Sequence, residues 1–246
     1  MTSIGEEIEG AVELRPLQFD FTRVPNPTIL LVAKRDSGKT YTTVSIADKF
    51  KHIGRGAAFC GTKSAEFQWS ERFGSRCTVK GLKEEGRKYL TELVSYQEEK
   101  VEKYKYLKKK FPQKYEIGLI FDDMTSDRKF AKSEQLEKLL SNGRHYHALI
   151  IICAQYLKQL PPPVRSNLDY VFILNSTKMV LELLYKEYIQ ESEISIFFQL
   201  YKTVTRLKRE DGTKMFSSLV FNNTGAKNGG SLSDIFQIYF PESREY

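Results

Sequence analysis

The sequence predicts an α/β protein in which a mostly parallel sheet is covered by helices on both faces. Apolar runs of strand length alternate with helical patterns, a phosphate-binding loop follows the first of these runs, and two carboxylates follow a later one. An antiparallel hairpin near the C-terminus is expected to extend one edge of the sheet. The 246 residues suit one large domain of this kind.

Composition and charge narrow the classes of function. The chain carries a net charge of +7, which favours a polyanionic partner. No apolar run approaches the roughly 18–20 residues of a membrane span, and residues 1–13 lack a signal-peptide pattern. The cysteines Cys60, Cys77 and Cys153 have no paired spacing. We therefore expect reduced thiols and an intracellular protein without a membrane span.

The first predicted element is a buried strand. The segment Pro25-Asn-Pro27 ends any earlier element, and the apolar residues Ile29 to Val32 then lead into Ala33-Lys-Arg-Asp-Ser-Gly-Lys-Thr40. A helical pattern follows, so this segment has the strand–loop–helix context of a phosphate-binding loop. Its backbone N–H groups and the positive end of the helix can cradle the β-phosphate of a nucleoside triphosphate.

The same pattern assigns roles within the loop. Lys39 can reach the β- and γ-phosphates, and the Thr40 hydroxyl can ligate Mg²⁺. The usual pattern has glycine where this chain has Ala33, which is tolerable if the φ angle of that residue is negative. The alternative, a chance Ser-Gly-Lys-Thr in a surface loop, is disfavoured by the strand and helix on either side. The residues expected to bind the nucleotide are Ala33, Asp36, Ser37, Gly38, Lys39, Thr40 and Tyr41.

Periodicity and turn residues predict the elements that follow the loop. In chain order we expect a helix over 38–51, a strand over 54–61, a loop with one helical turn over 62–73, a strand over 76–80 and a helix over 81–111.

The second half of the chain begins with a strand over 115–121. It continues with a helix over 133–140, strands over 148–154 and 170–174, and a helix over 176–189. The expected hairpin consists of a strand over 201–207, a turn at Asp211-Gly212 and a strand over 215–221, and we expect residues 225–233 to be flexible.

Two adjacent carboxylates end the strand over 115–121. An acid at this place commonly holds the Mg²⁺ shell beside a phosphate-binding loop, which makes Asp122 the metal candidate. Asp123 could orient and deprotonate the attacking water. The alternative is a polar strand end that caps the residues after it.

Three further side chains could complete the site. Gln155 follows the strand over 148–154, and if that strand lies between the two motif strands, Gln155 would point at the γ-phosphate, unless it is an ordinary polar strand end. Arg144 precedes this strand and Arg165 follows it. Hydrolysis needs a positively charged group beside the phosphates to stabilise their negative charge. Each arginine is a candidate for this role, although either could be a surface ion-pair partner.

Together these motifs resemble the genome-packaging ATPases of poxviruses, giant viruses and virophages, in the FtsK–HerA branch of P-loop motors. The resemblance covers roughly residues 28 to 175. It is carried by the phosphate-binding loop, Leu119–Asp123, Asn142-Gly-Arg-His-Tyr146, Gln155 and Leu160-Pro-Pro-Pro-Val-Arg-Ser-Asn167.

The resemblance implies a RecA-like core, ATP and Mg²⁺ as ligands, and a pentameric or hexameric ring that moves double-stranded DNA, without sequence preference, into a viral capsid. It implies a location in the host cytoplasm or the virion. It also places Asp122 on the metal, Asp123 as the base, Gln155 as a sensor and Arg165 as the arginine finger, with Arg144 as the second candidate.

The basic segments 103–114 and 202–214 are then candidates for contact with the DNA backbone, although each could be a solvated helix face. We expect an N-terminal arm over 1–24, the ATPase domain over 25–222 and a C-terminal tail over 223–246. Two other functions stay open: a monomeric P-loop kinase or phosphotransferase, and a nucleotide-gated DNA- or capsid-binding protein without turnover.

Overall fold

A computed structural model of the chain describes residues 14–242, apart from 51, 54, 124–126, 158–159, 161, 190–193, 210 and 214. The strands in this part of the chain are β1 (Arg15–Pro16), β2 (Thr28–Val32), β3 (Arg55–Cys60), β4 (Cys77–Gly81), β5 (Ile117–Asp122), β6 (Ala148–Ala154), β7 (Tyr170–Ile173), β8 (Ser218–Asn222) and β9 (Phe236–Tyr239).

The helices connect these strands, and one helix continues into a π-helical segment. They are α1 (Lys39–Lys49), α2 (Lys63–Phe73), α3 (Glu84–Tyr106), α4 (Arg128–Ala131), α5 (Glu134–Asn142), α6 (Pro162–Ser166), α7 (Lys178–Leu184), α8 (Ile194–Thr205), α9 (Asn223–Lys227) and α10 (Leu232–Ile235). A π-helical segment, Tyr185–Ile189, continues α7. No helix in the described ranges is long and apolar enough to cross a membrane.

The described strands form one sheet in the order β1-β9-β8-β7-β2-β6-β5-β3-β4. All neighbours from β7 to β4 are parallel, and β8 runs antiparallel to β7 and β9. The predicted α/β class, with a mostly parallel sheet and antiparallel strands near the C-terminus, is confirmed. The strand β6 lies between β2 and β5, which brings the ends of the two motif strands to one edge.

Helices cover both faces of the sheet because successive side chains of a buried strand point in opposite directions. Ile29 and Leu31 pack with residues of α1 and α2, whereas Leu30 and Val32 pack with residues of α3, α5, α6, α7 and α8. Every residue of β2 and β6 is buried. This double burial is the reason that both strands read as continuous apolar runs.

The first arm of the predicted C-terminal hairpin is wrong. Residues 201–205 belong to α8, whose buried residues Phe197, Leu200, Tyr201 and Val204 follow helical spacing. The predicted turn is present, with Gly212 at φ +79° and the Thr213 N–H donating to Asp211 Oδ1 at 2.8 Å. β8 instead pairs antiparallel with β7 and with β9, and α9 and α10 connect β8 to β9.

Two other segments are more regular than the sequence indicated. The predicted loop over 62–73 is the helix α2, which the Thr62 hydroxyl caps by accepting the Ala65 N–H at 3.2 Å. The segment expected to be flexible, residues 225–233, contains the end of α9 and the start of α10.

The expected N-terminal arm and C-terminal tail each contribute a strand to the sheet. β9 lies within the expected C-terminal tail, and β1 lies within the expected N-terminal arm, of which residues 1–13 are outside the described part. The domain boundaries themselves stay a prediction.

Candidate nucleotide-binding site

The predicted phosphate-binding loop leaves the carboxyl end of β2 between the two neighbouring strands. The Ala33 N–H donates to the Ala154 carbonyl at 3.1 Å, and the Lys34 N–H donates to the Asn175 carbonyl at 2.8 Å. These bonds extend the ladder beyond β2 and fix where the loop begins. Ala33 is fully buried and is absent from the described residues with positive φ, so its β-carbon is accommodated without left-handed strain.

Two loop residues adopt left-handed backbone conformations, Asp36 at φ +56° and Gly38 at φ +83°. Glycine adopts this conformation freely, and aspartate adopts it more readily than most residues. Ser37 is buried, and its hydroxyl donates to the Lys34 carbonyl at 2.5 Å, which closes the loop on itself.

The helix α1 starts directly after this turn. Gly38 is its N-cap residue, no side chain in the described part caps it, and its first turn contains no acidic residue. The first N–H groups of a helix have no partner within the helix, and the helix start carries partial positive charge. Lys39, Thr40 and Tyr41 are half-buried here. The arrangement suits an anion such as a phosphate.

Asp122 ends β5 and lies beside the loop. Its Oδ1 atom is 3.9 Å from Lys39 Nζ, and the residue is 8% exposed. The loop and the aspartate, which are some 80 residues apart in sequence, therefore form one site. The indole N–H of Trp69 donates to the other carboxylate oxygen, Oδ2, at 3.0 Å. Sequence reasoning missed Trp69 because it lies in the segment that was predicted to be mainly loop.

The side-chain oxygens beside the phosphate-binding loop are suitable ligands for Mg²⁺. Magnesium is usually bound by one or two protein oxygens together with water and substrate phosphates. The Asp122 carboxylate and the Thr40 hydroxyl are donors of this type, whereas no group of three or more His, Cys, Asp or Glu residues in the described ranges could hold a metal alone. The residues therefore fit a metal that binds together with a nucleotide.

Asp123 and Gln155 lie at the same edge of the sheet. The Asp123 N–H donates to the Cys153 carbonyl at 3.3 Å, and Asp123 has φ +54°, so the backbone leaves the strand conformation here. Gln155 directly follows Ala154, which is in register with Val32 of β2. Both side chains are half-buried. Gln155 thus follows a strand that lies between the two motif strands, which is the condition on which its predicted role depends.

Each candidate arginine is held by a carboxylate of its own chain. Arg144 pairs with Asp169, which precedes β7 and accepts the Thr28 N–H at 2.9 Å. Arg144 therefore lies at the amino edge of the sheet, opposite the phosphate-binding loop. Arg165 Nη1 is 3.2 Å from Glu187 Oε2, and the Arg165 side chain is 15% exposed.

An aromatic side chain that sequence reasoning did not identify borders the loop. The ring of Phe216 packs against Gly38, and its centroid lies 5.7 Å from that of Tyr41. Phe216 lies just before β8, which starts at the carboxyl edge because it runs antiparallel to β7. No sequence motif marked this residue, since the contact depends on the direction of β8.

The two basic segments lie at opposite edges of the sheet. Residues 103–114 precede β5 and therefore lie at its amino edge. The described residues of 202–213 span the end of α8 and the turn before β8, at the edge with the phosphate-binding loop, whereas Glu210 and Lys214 are outside the described part. The Ser217 hydroxyl donates to the Val204 carbonyl at 2.6 Å and joins the end of α8 to the start of β8.

Comparison with solved structures supports the fold. The chain is similar to the genome packaging NTPase B204 of Sulfolobus turreted icosahedral virus 2 in complex with AMP, with 16% identity, a TM-score of 0.55, and coverage of 89% of this chain and 99% of that one. It is also similar to the cytoplasmic domain of the Thermomonospora curvata type VII secretion ATPase EccC, with 10% identity, a TM-score of 0.58, and coverage of 88% and 25%.

Two sequence relatives are proteins of a mimivirus and of an iridescent virus. A protein of Acanthamoeba polyphaga mimivirus is 28% identical over 176 residues, which are 70% of this chain and 61% of the relative. A protein of Invertebrate iridescent virus 6 is 24% identical over 234 residues, which are 93% and 83%. The model of the poxvirus A32 protein family matches residues 21–217. The resemblance that the motifs indicated is thereby confirmed, and the chain belongs to the poxvirus A32 protein family.

Proposed function

We propose that this protein is an ATP-hydrolysing motor that moves double-stranded DNA into a viral capsid. The observation that carries the proposal is the 3.9 Å separation between Lys39 Nζ and Asp122 Oδ1 at the start of α1. A cation for the phosphates beside a carboxylate for the metal suits a magnesium-bound triphosphate. The family membership and the fold shared with a genome packaging NTPase support the same activity.

The proposal gives each residue of the site a role in binding or hydrolysis. Lys39 neutralises charge on the β- and γ-phosphates, while Thr40 and Asp122 hold Mg²⁺. When bound, the metal would supply charge neutralisation at the phosphate oxygens. Asp123 orients the attacking water and accepts its proton, and Gln155 positions that water or senses the γ-phosphate. The nucleotide contacts the loop from Ala33 through Asp36, Ser37 and Gly38 to Tyr41.

An ATPase assay with and without duplex DNA tests the central claim. We expect turnover that duplex DNA stimulates, and its loss in Lys39→Ala. Lys34→Ala is the matched control, because Lys34 is an exposed lysine of the same loop. Wild-type turnover in Lys39→Ala would show that the site is misassigned. Phosphate on a small acceptor would indicate a kinase, and tight ATP binding without turnover in the presence of DNA would indicate a nucleotide-gated tether.

The two aspartates are expected to separate binding from hydrolysis. Asp123→Asn should bind ATP with Mg²⁺ as wild type does and hydrolyse it at least about 100-fold more slowly, because a general base contributes about that much. Asp122→Asn should need more Mg²⁺ for nucleotide binding. If Asp123→Asn hydrolyses ATP normally, another group is the base.

We assign the arginine finger to Arg165, with Arg144 as the second candidate. In this proposal Arg165 contacts the phosphates of the nucleotide that is bound to the neighbouring subunit in a pentameric or hexameric ring. To do so it breaks its ion pair with Glu187. A mixture of Lys39→Ala chains, which keep the finger, and Arg165→Ala chains, which keep the nucleotide site, should recover activity that neither variant has alone. Recovery with Arg144→Ala instead would reverse the assignment.

Of the two basic segments, we assign DNA contact to residues 202–214, because this segment leads into Phe216 against the phosphate-binding loop. Replacing Lys208 and Arg209 with alanine should strongly reduce DNA stimulation without changing basal turnover, and the stimulation that remains should depend less on salt. Alanine at Lys108 and Lys109, at the opposite edge, is the control. If only the control pair loses stimulation, the DNA-contacting segment is 103–114.

The assembly and location are further parts of the proposal. We expect a closed ring when the chain is sized with a non-hydrolysable ATP analogue, and a monomer under those conditions would contradict a ring motor. A capsid component is the expected docking partner. The protein would act in the host cytoplasm or remain associated with the virion.

A further inference from the structure

The metal candidate Asp122 has two carboxylate oxygens in different surroundings. Oδ1 faces the Lys39 ammonium, whereas Oδ2 accepts the indole N–H of Trp69 at 3.0 Å. Trp69 is fully buried and Asp122 is 8% exposed. One oxygen is therefore occupied by a protein donor, and the other is turned toward the phosphate-binding loop.

The indole is held in this position by packing and by the backbone. The ring of Trp69 stacks on Phe73 with centroids 5.5 Å apart and planes 6° apart. Its helix, α2, starts just after β3, where the Gly61 N–H donates to the Asp122 carbonyl at 3.0 Å. Asp122 is thus bonded to the start of this segment through its main chain and to Trp69 through its side chain.

The chemistry of the indole suits a carboxylate that must keep its charge. An indole N–H is a neutral donor that cannot accept a hydrogen bond or take up the charge of its partner. It fixes which way the carboxylate is turned while leaving the negative charge for a cation at Oδ1. Partners of this kind orient metal ligands, and their loss typically costs about 10- to 100-fold in metal affinity.

We propose that Trp69 is a positioning residue that orients the Asp122 carboxylate for Mg²⁺. The inference rests on the proposed role of Asp122. Trp69 is also the only tryptophan of the chain, so its fluorescence reports on this carboxylate without interference from another indole. Binding of Mg²⁺ with nucleotide should change its emission, because a cation beside Oδ1 changes the electric field at the indole.

The test uses the full chain with a non-hydrolysable ATP analogue. Mg²⁺ titrated into the wild-type complex should change the tryptophan emission, and Asp122→Asn should remove this response. A fluorescently labelled nucleotide then measures the Mg²⁺ dependence of binding in Trp69→Phe, where we expect half-saturation at about 10- to 100-fold more Mg²⁺. At saturating Mg²⁺ the nucleotide affinity should be close to that of wild type.

A second variant separates loss of the N–H from loss of packing. Because the chain has one tryptophan, biosynthetic replacement by benzothienylalanine changes Trp69 alone, exchanging the N–H for sulfur in a ring of similar shape. The same rise in the Mg²⁺ requirement is expected. A wild-type Mg²⁺ requirement in this protein would overturn the inference while leaving the proposed function standing. Wild-type protein that binds no nucleotide with Mg²⁺ would overturn both.

Discussion

The ring of Phe216 lies so close to Gly38 that a β-carbon on the glycine would overlap it. Gly38 also has φ +83°, a conformation that L side chains rarely adopt. Glycine is therefore required twice at this position, once by the backbone and once by the neighbouring ring. This contact joins the phosphate-binding loop to the segment before β8.

The double requirement at Gly38 predicts a large effect of a single methyl group. Gly38→Ala should abolish nucleotide binding and lower the free energy of unfolding by more than the roughly 1–2 kcal/mol that left-handed strain costs alone. Gly212→Ala is the matched control, because Gly212 has φ +79° and no atom near its missing β-carbon. Chemical denaturation and binding of a labelled nucleotide measure the two effects.

The part of the loss that comes from the ring should be recoverable. Adding Phe216→Ala to Gly38→Ala should restore the stability that is lost to the overlap with the ring. The stability that is lost to left-handed backbone strain should not return. Equal destabilisation by Gly38→Ala and Gly212→Ala would mean that the ring moves aside.

A second prediction concerns Asp169, which is 1% exposed. It accepts the Thr28 N–H and pairs with Arg144 at the start of β2 and β7. Asp169→Ala should lower the free energy of unfolding by about 2–3 kcal/mol, because a buried N–H loses its acceptor. Arg144→Ala should cost less, since the Arg144 side chain is 62% exposed and Asp169 keeps the hydrogen bond from the Thr28 N–H.

Urea denaturation of the two variants and of the double variant measures this difference. If Arg144→Ala costs as much as Asp169→Ala, the ion pair rather than the backbone contact stabilises this edge.

The third prediction is a loss of stability at mildly acid pH that depends on His147. Burial holds the pKa of this imidazole below its ordinary value of 6.5, and the ring stacks on Phe111 at 4.2 Å. Below pH 6.5 the unfolded chain takes up a proton that the folded chain does not, so the free energy of unfolding falls as the pH decreases toward the folded pKa. The slope reaches at most about 1.4 kcal/mol per pH unit.

Denaturation between about pH 7.5 and 5 checks this component. His147→Asn should flatten the decline, because asparagine does not titrate and tolerates the φ of +51° at this position. An unchanged slope in His147→Asn would place the acid sensitivity elsewhere.

The fourth prediction concerns the two cysteines that flank Asp122. Cys60 and Cys153 are both 1% exposed and in register with the aspartate on the neighbouring strands. Burial, and then the Asp122 charge, raises the pKa of Cys153 to about 12, and the same causes raise the pKa of Cys60. Since only the thiolate is nucleophilic, iodoacetamide at about pH 8 should leave both unmodified in the folded protein.

Mass spectrometry before and after denaturation measures this protection. Asp122→Asn is the control that removes the charge, and both thiols should stay protected in it because burial is the larger cause. Rapid alkylation of the native protein at either cysteine would show that this part of the sheet opens.

The elements that the sequence located well are those with local signals. β2, β5 and β6 are buried on both faces, and each reads as an apolar run with turn residues or charges at its ends. The prediction of a strand at the end of α8 was wrong because apolar and polar residues alternate over 201–207. The helical spacing is visible only when Phe197 and Leu200 are included. A window that begins inside an element conceals its period.

The candidate site divides in the same way. The loop and the twin aspartates are local motifs, and their order predicted that they would meet. Trp69 reaches Asp122 from 53 residues away, and Phe216 reaches Gly38 through the antiparallel direction of β8. Neither contact leaves a periodic signal, because each depends on a single side chain that another element brings into place.

The sequence by itself determined the class of fold and predicted a nucleotide site at the loop and the twin aspartates, because strand burial and phosphate binding each impose a pattern on neighbouring residues. Tertiary structure alone decided which oxygen of Asp122 is turned toward the loop, which basic segment shares its edge, and that Arg144 lies at the opposite one. Those relations are set by strand order and direction, and packing across the whole sheet determines both.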